Sequence, residues 1–243
     1  MYDLYSKNTS QSFDENNQKS ILEFAKKLEG KTLREFLSNK VSNDIEENIK
    51  AHPGNKGKLG HNIEKYYFRY SINSASEPDF PCGLELKVTP LRYINNGELR
   101  PKERLVCNII NFMEIVNESW ETSSFLKKNR NILLIRYVDP IDPKITLLDY
   151  KIFDVQIFDI FDNPNDANQF EEDWNIIVNK VKNGDAENIS ESDTLFLGAC
   201  TKGANREKSY RKQPFNILKA RQRAFSFKQQ FMKELLDRKN ASL

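Results

Sequence analysis

The sequence predicts an α/β fold, a central sheet flanked by helices, from three observations. Residues 84–89 (Leu-Glu-Leu-Lys-Val-Thr) alternate apolar and polar without a break, the period of a half-buried strand. Residues 131–138, Asn-Ile-Leu-Leu-Ile-Arg-Tyr-Val, form a second apolar run of strand length. Phe170, Trp174, Ile177, Val178 and Val181 recur at helical spacing and stop at Gly184, as an amphipathic helix does. One domain over residues 1–243, with two lobes possible, accounts for them most simply.

The elements follow in order. Residues 1–15 are polar and expected to fray. Ile21, Phe24, Ala25 and Leu28 give a helix from Gln18 to Leu28, with Gly30 as its stop. Thr32 with Glu35 three residues on reads as a capping box for a short helix to Leu37. Residues 50–58 read as a Gly- and Lys-rich loop, and Leu59, Ile63 and Tyr66/Tyr67 as one face of a helix to about Tyr70. Beyond the strand at 83–89, residues 104–117 carry a helical signal, and one or two strands fall within 144–161. Leu195–Cys200 reads as a short strand and Ile217–Leu236 as the last helix.

Composition narrows the function. With 38% apolar and 30% charged residues the chain is a globular protein and not a disordered one. No apolar run approaches the roughly 18–20 residues that cross a bilayer, and no secretory signal is visible at the N-terminus. Cys82, Cys107 and Cys200 are scattered and odd in number, as expected in a reducing cytoplasm, and His52 and His61 are too few for a histidine metal site. The net charge of +2 hides an asymmetry. Residues 202–228 hold nine Lys or Arg and one acid, interleaved with Tyr210, Phe215, Phe225 and Phe227, whereas residues 139–173 hold ten acids and two lysines. A basic face of this kind suits a polyanion.

Chemistry concentrates between Glu77 and Pro90. On an alternating strand Glu85, Lys87 and Thr89 share one side, and Leu84, Leu86 and Val88 the other. Pro78 and Pro81 bracket Asp79 and favour a turn that brings a second carboxylate beside Glu85. Two carboxylates suit a hard divalent cation and a lysine can hold a water near it, which is the minimum for metal-assisted phosphodiester cleavage.

The wider pattern is more specific. Asn55-Lys56-Gly57-Lys58-Leu59-Gly60 leads to Glu64; Asp79-x5-Glu85-x-Lys87 follows; then come Trp120-Glu121-Thr122-Ser123 before Lys127-Lys128, and Thr201-Lys202-Gly203-Ala204-Asn205. In this order, from about Asn55 to Leu236, they resemble the MutH family of GATC-specific DNA endonucleases. Lys102–Val106 and Arg221–Phe225 are similar to its type II restriction branch in particular. The resemblance implies a restriction-endonuclease-like core, a mixed central sheet flanked by helices, in two lobes with a DNA-binding cleft. It implies Asp79 and Glu85 as ligands of Mg²⁺, with Mn²⁺ substituting, and Glu64 as an additional acid near the metal. Lys87 would orient or activate the attacking water, and Lys128 would approach the same site. Thr201, Lys202, Gly203 and Asn205 would read bases, Lys202 donating to guanine. Lys56, Gly57, Arg221, Arg223 and Lys228 would clamp phosphates. Ser226 stands where the repair nickase has a methylation-sensing tyrosine, so weak discrimination against adenine-methylated GATC is expected. The implied activity is hydrolysis of double-stranded DNA at GATC to 5′-phosphate ends. The alternatives are a single-strand nickase of mismatch repair and a non-catalytic DNA-binding module. Restriction enzymes of this branch carry a second half, so a second domain or protomer on DNA is a further expectation.

Overall fold

A computed structural model describes residues 13–51, 58–69, 76–203 and 209–241. The expectations for Lys56, Gly57 and Asn205, and for the first twelve residues, fall outside them. The chain divides into two compact units, one of Met1–Ala75, Asp79–Lys102 and Ile132–Ile157, the other of Ser76–Pro78, Glu103–Asn131 and Phe158–Leu243.

In the first unit, α1 (Gln18–Lys26) starts at Asn17, whose side chain accepts from the Lys19 and Ser20 amides. The Thr32/Glu35 capping box is present, on a single 3-10 turn (Leu33–Phe36). The sequence reading missed α2 (Asn39–Ala51), whose buried residues are Val41, Ser42 and Ile45. Next, α3 (Lys58–Asn62) widens into a π-helical turn (Ile63–Phe68) that ends with Arg69 in the left-handed region.

The sheet is four-stranded, in the order β2-β1-β4-β5, from β1 (Leu84–Tyr93), β2 (Leu99–Pro101), β4 (Asn131–Val138) and β5 (Ile152–Asp159). β1 and β2 are antiparallel. The Asp139 amide donates to the Leu91 carbonyl, aligning the C-terminal ends of β1 and β4 as in a parallel pair. The Val138 amide reaches Lys151 and the Ile160 amide reaches Arg130, so β4 and β5 run antiparallel and the sheet is mixed. One face carries Leu84, Leu86, Leu133, Ile135 and Val155 into a core shared with Ile21, Phe24, Leu28, Ile63 and Tyr67. Each fully buried aliphatic side chain there contributes about 1.5–3 kcal/mol.

The strand expected to be half-buried is buried on both faces: Glu85 and Thr89 are each only 2% exposed. β1 is an interior strand, and its polar face shares its side of the sheet with Ile132, Leu134 and Arg136 of β4. Arg136 is fully buried and forks onto Asp154 of β5, Nε to Oδ1 at 2.7 Å, with Nη2 also reaching Gln156 at 3.1 Å. Such a pair is weak evidence for stability but fixes which neighbours the polar face takes.

At the edge of this unit Arg34 bridges Asp149, Glu46 and Thr146. The Arg34 hydrogen bond holds the Asp149 carboxyl below its ordinary range. A depressed carboxylate stabilises the fold above its unfolded pKa, roughly 4, and loses that contribution as pH falls through the folded value. Urea midpoints of wild type and Asp149→Asn should therefore differ at neutral pH and converge in acid.

The second unit holds a three-stranded sheet in the order β3-β9-β6, from β3 (Leu105–Ile109), β6 (Leu197–Thr201) and β9 (Arg223–Phe227), and a two-stranded hairpin of β7 (Tyr210–Gln213) and β8 (Asn216–Arg221). Its helices are α4 (Phe112–Ile115), α5 (Ser124–Asn129), α6 (Pro164–Lys182) and α7 (Gln229–Ala241). Two sequence expectations are corrected here. Residues 105–109 and 216–227 are strands where helices were read. Phe170, Phe196, Phe225, Phe227 and Phe231 pack as an aromatic core around β9. No described helix is long and apolar enough to cross a membrane.

Candidate active site

A tight hairpin builds the site in the first unit. Phe80-Pro81-Cys82-Gly83 closes by a Gly83 amide bond to the Phe80 carbonyl at 2.9 Å, and the Phe80 amide then pairs with Leu84 O at 3.0 Å. Pro81 presets the second turn position, and Gly83 takes φ 82, open to glycine without strain. The reversal lays Asp79 alongside β1, where its Oδ2 accepts from the Leu86 amide at 2.9 Å. Asp79 is thereby fixed beside the residue that follows Glu85. Glu85 Oε1 accepts from Lys87 Nζ at 2.6 Å, with the two side chains 3% and 17% exposed. The structure thus brings Asp79, Glu85 and Lys87 together.

Glu64 lies half-buried in the π-helical turn. Gly60, one turn earlier, packs on Val88: a Cβ there would sit 3.5 Å from the Val88 Cβ. This contact seats α3 against β1. π-Turns inside helices concentrate at functional sites. Among the described residues no group of three acids, histidines or cysteines forms a ready-made metal cage. Asp79 and Glu85, two hard carboxylates on one hairpin, are the residues that could hold a divalent cation, which such oxygen donors suit.

In the second unit Trp120-Glu121-Thr122-Ser123 is the cap of α5. Ser123 Oγ accepts from the Leu126 amide at 3.2 Å and donates to the Trp120 carbonyl at 2.7 Å. Trp120 is buried against Phe125 and Trp174. The cap sets the phase of α5, and Lys128 Nζ donates to the Glu77 carbonyl at 3.1 Å, two residues before Asp79 in the chain.

The expected DNA-contact residues divide. Thr201 and Gly203 are exposed and Lys202 is half-buried at the end of β6. Arg221 is held by Glu187, Nε to Oε1 at 2.8 Å. Burial opposes ionisation of Glu187, but the bonds and charge of Arg221 outweigh it and hold this carboxyl below its ordinary range. Three expectations need correction. Arg223 is 7% exposed and its guanidinium donates to the Ala199 and Glu187 carbonyls, so it braces the sheet instead of clamping phosphate. Lys228 Nζ spans the Glu191 and Thr194 carbonyls, both at 2.6 Å. Ser226 is fully buried mid-strand between Val106 and Gly198, and offers no group to a base at the surface. Burial on the interior strand β9 is the cause for Arg223 and Ser226, whereas Lys228 lies just past that strand and is held by the two carbonyls. Sequence reasoning also missed Asp173, fully buried on α6, which accepts the Leu195, Phe196 and Leu197 amides at the entry to β6.

Comparison with known proteins adds two similarities. Residues 68–173 match the model of the DNA mismatch repair enzyme MutH. Over these residues the chain is similar to the MutH family. It is also 40% identical over 186 residues, 74% of its length, to a type II restriction enzyme of Staphylococcus aureus, Sau3AI. The matched segment contains Asp79, Glu85, Lys87 and Lys128. The chain spans 36% of the length of that Staphylococcus enzyme.

Proposed function

We propose that this chain is the catalytic domain of a type II restriction endonuclease that hydrolyses double-stranded DNA at GATC. The observation that carries it is the hairpin holding Asp79, Glu85 and Lys87 in one place, within a chain similar along most of its length to a restriction enzyme. Asp79 and Glu85 would hold Mg²⁺, and Mn²⁺ would substitute. The metal, when bound, would lower the pKa of a water and polarise the phosphodiester. Asp79 is locked by the Leu86 amide, so its carboxylate needs no reorganisation before reaction. Lys87 keeps its ammonium beside Glu85 and offsets charge that builds on the phosphorane. Glu64 and Lys128 are assigned supporting roles, an additional acid and a second cation. Thr201, Lys202, Gly203 and Asn205 are assigned the base contacts, and a DNA-binding cleft belongs to the same proposal.

The test is end-mapping of a duplex with one GATC, with Mg²⁺ and with chelator. Cuts in both strands bearing 5′-phosphates are expected, and none with chelator. On a plasmid, linear product supports restriction, whereas nicked circles alone would make the chain a MutH-like nickase. With Ser226 buried, no methylation sensor stands at that position. Adenine-methylated and unmethylated duplexes should be cut at similar rates, and cutting of the unmethylated duplex alone would refute this.

A further inference from the structure

We infer that the β7–β8 hairpin is a second DNA-contacting element, a rigid apolar wedge that enters the duplex beside the bases contacted from the end of β6; the inference rests on the DNA-cutting function proposed above. The turn Gln213-Pro214-Phe215-Asn216 puts Phe215 at φ 61, the left-handed region normally filled by Gly or Asn. The ring gains no burial in return. Phe215 is 76% exposed, Ile217 100% and Leu218 69%.

The tip is nevertheless held in place. Asn216 Nδ2 donates to the Gly184 carbonyl at 2.7 Å. Gln213 Oε1 accepts from the Ala186 amide at 3.0 Å, and its Nε2 donates to Leu218 O at 2.9 Å. A Cβ at Gly184 would come 2.8 Å from the Phe215 carbonyl, so only glycine lets the turn seat there. Backbone strain and exposed apolar side chains on a fixed element point to a binding role.

Charge identifies the occupant. Residues 209–221 hold Arg211, Lys212, Lys219 and Arg221 and no acid. Arg221 is engaged by Glu187, while Arg211, Lys212 and Lys219 are exposed. An apolar protein face would have to strip water from those cations, at a cost. A duplex offers phosphates to the cations and base steps to the apolar tip, the combination by which Phe, Leu and Ile wedges unstack and kink DNA.

The hairpin's root also adjoins the proposed reading segment. The Lys202 amide donates to Gln222 O at 2.8 Å and the Gln222 amide to Ser209 O at 2.7 Å. A Cβ on Gly203 would meet the Ser209 Cβ at 2.6 Å. Four strand residues at about 3.3 Å each put the tip roughly 13 Å from that root, within reach of the same duplex.

The experiment uses the whole chain and a short GATC duplex with 2-aminopurine at the flanking steps, bound in Ca²⁺. Wild type should bind with a rise in fluorescence as a step unstacks. Phe215→Gly/Ile217→Thr/Leu218→Thr should bind about tenfold more weakly, the scale of one lost stacking contact, and give no rise. Phe215→Gly alone removes the positive-φ strain, so it should keep its thermal transition and still lose part of the signal. Equal affinity and equal fluorescence for wild type and triple variant would overturn the inference. So would a triple variant that only shifts the DNA-free protein from dimer to monomer, since the tip would then join copies of the chain. If wild type itself fails to bind the GATC duplex, the DNA-cutting function falls, and the wedge with it.

Discussion

Glu85→Gln and Lys87→Ala should each slow cleavage of a GATC duplex on the order of 10³-fold, while binding of the same duplex in Ca²⁺ persists. Gln keeps the volume of Glu85, which is 2% exposed, so no cavity opens on the polar face of β1. What it removes is the negative charge that would hold the metal and that anchors the Lys87 ammonium at 2.6 Å. Lys87→Ala takes away the cation and leaves the carboxylate. Asp79→Asn should also fall steeply, although its oxygen can still accept the Leu86 amide. The discriminating controls are thermal transitions and affinity, because a merely structural role would lower both together with rate. Cleavage at the wild-type rate by Glu85→Gln would remove the hairpin from the active site.

The part of this site that was legible in the sequence is the part encoded locally. The alternation from Leu84 to Thr89 and the prolines around Asp79 specify a hairpin within twelve residues, and the hairpin is what joins Asp79 to β1. Helix α6 was legible for the same reason, since Phe170, Trp174, Ile177 and Val181 repeat on one face up to Gly184. The helical signal read over 104–117 holds at Phe112–Ile115 but misled at Leu105–Ile109, which is a strand. Pairing of Leu105 with Phe227 overrides that period, a tertiary preference no local window contains. The basic run from Lys202 to Lys228 was read as a surface, yet β9 lies between β3 and β6 with all five residues buried. Arg223 and Ser226 are consequently interior residues. Helix α2 was missed although Val41, Ile45 and Ile49 repeat at helical spacing, because polar and charged residues fill the positions between them.

Asp173→Ala is expected to be the most destabilising single substitution in the second unit, and its cost follows from a count of amides. The carboxylate is fully buried and accepts from Leu195 at 2.9 Å, Phe196 at 2.6 Å and Leu197 at 2.8 Å, as well as from Gln169 Nε2 at 3.1 Å. The Leu197 bond is buried and those of Leu195 and Phe196 are part-buried; a buried amide left without an acceptor costs about 1–3 kcal/mol, so the loss should be on the order of 3 kcal/mol, a large share of a domain's total stability. Asp173→Asn retains one acceptor oxygen and turns an amino group toward the remaining amides, and should fall between wild type and alanine. Urea unfolding of the three proteins measures this directly, and equal midpoints would mean that water replaces the carboxylate. The same carboxylate pins the entry to β6, whose other end is Thr201 and Lys202. A milder variant that still folds, Asp173→Asn, should therefore weaken discrimination between GATC and single-base variants more than it lowers general DNA affinity. Phosphate contacts elsewhere would persist while the residues proposed to read bases lose their register.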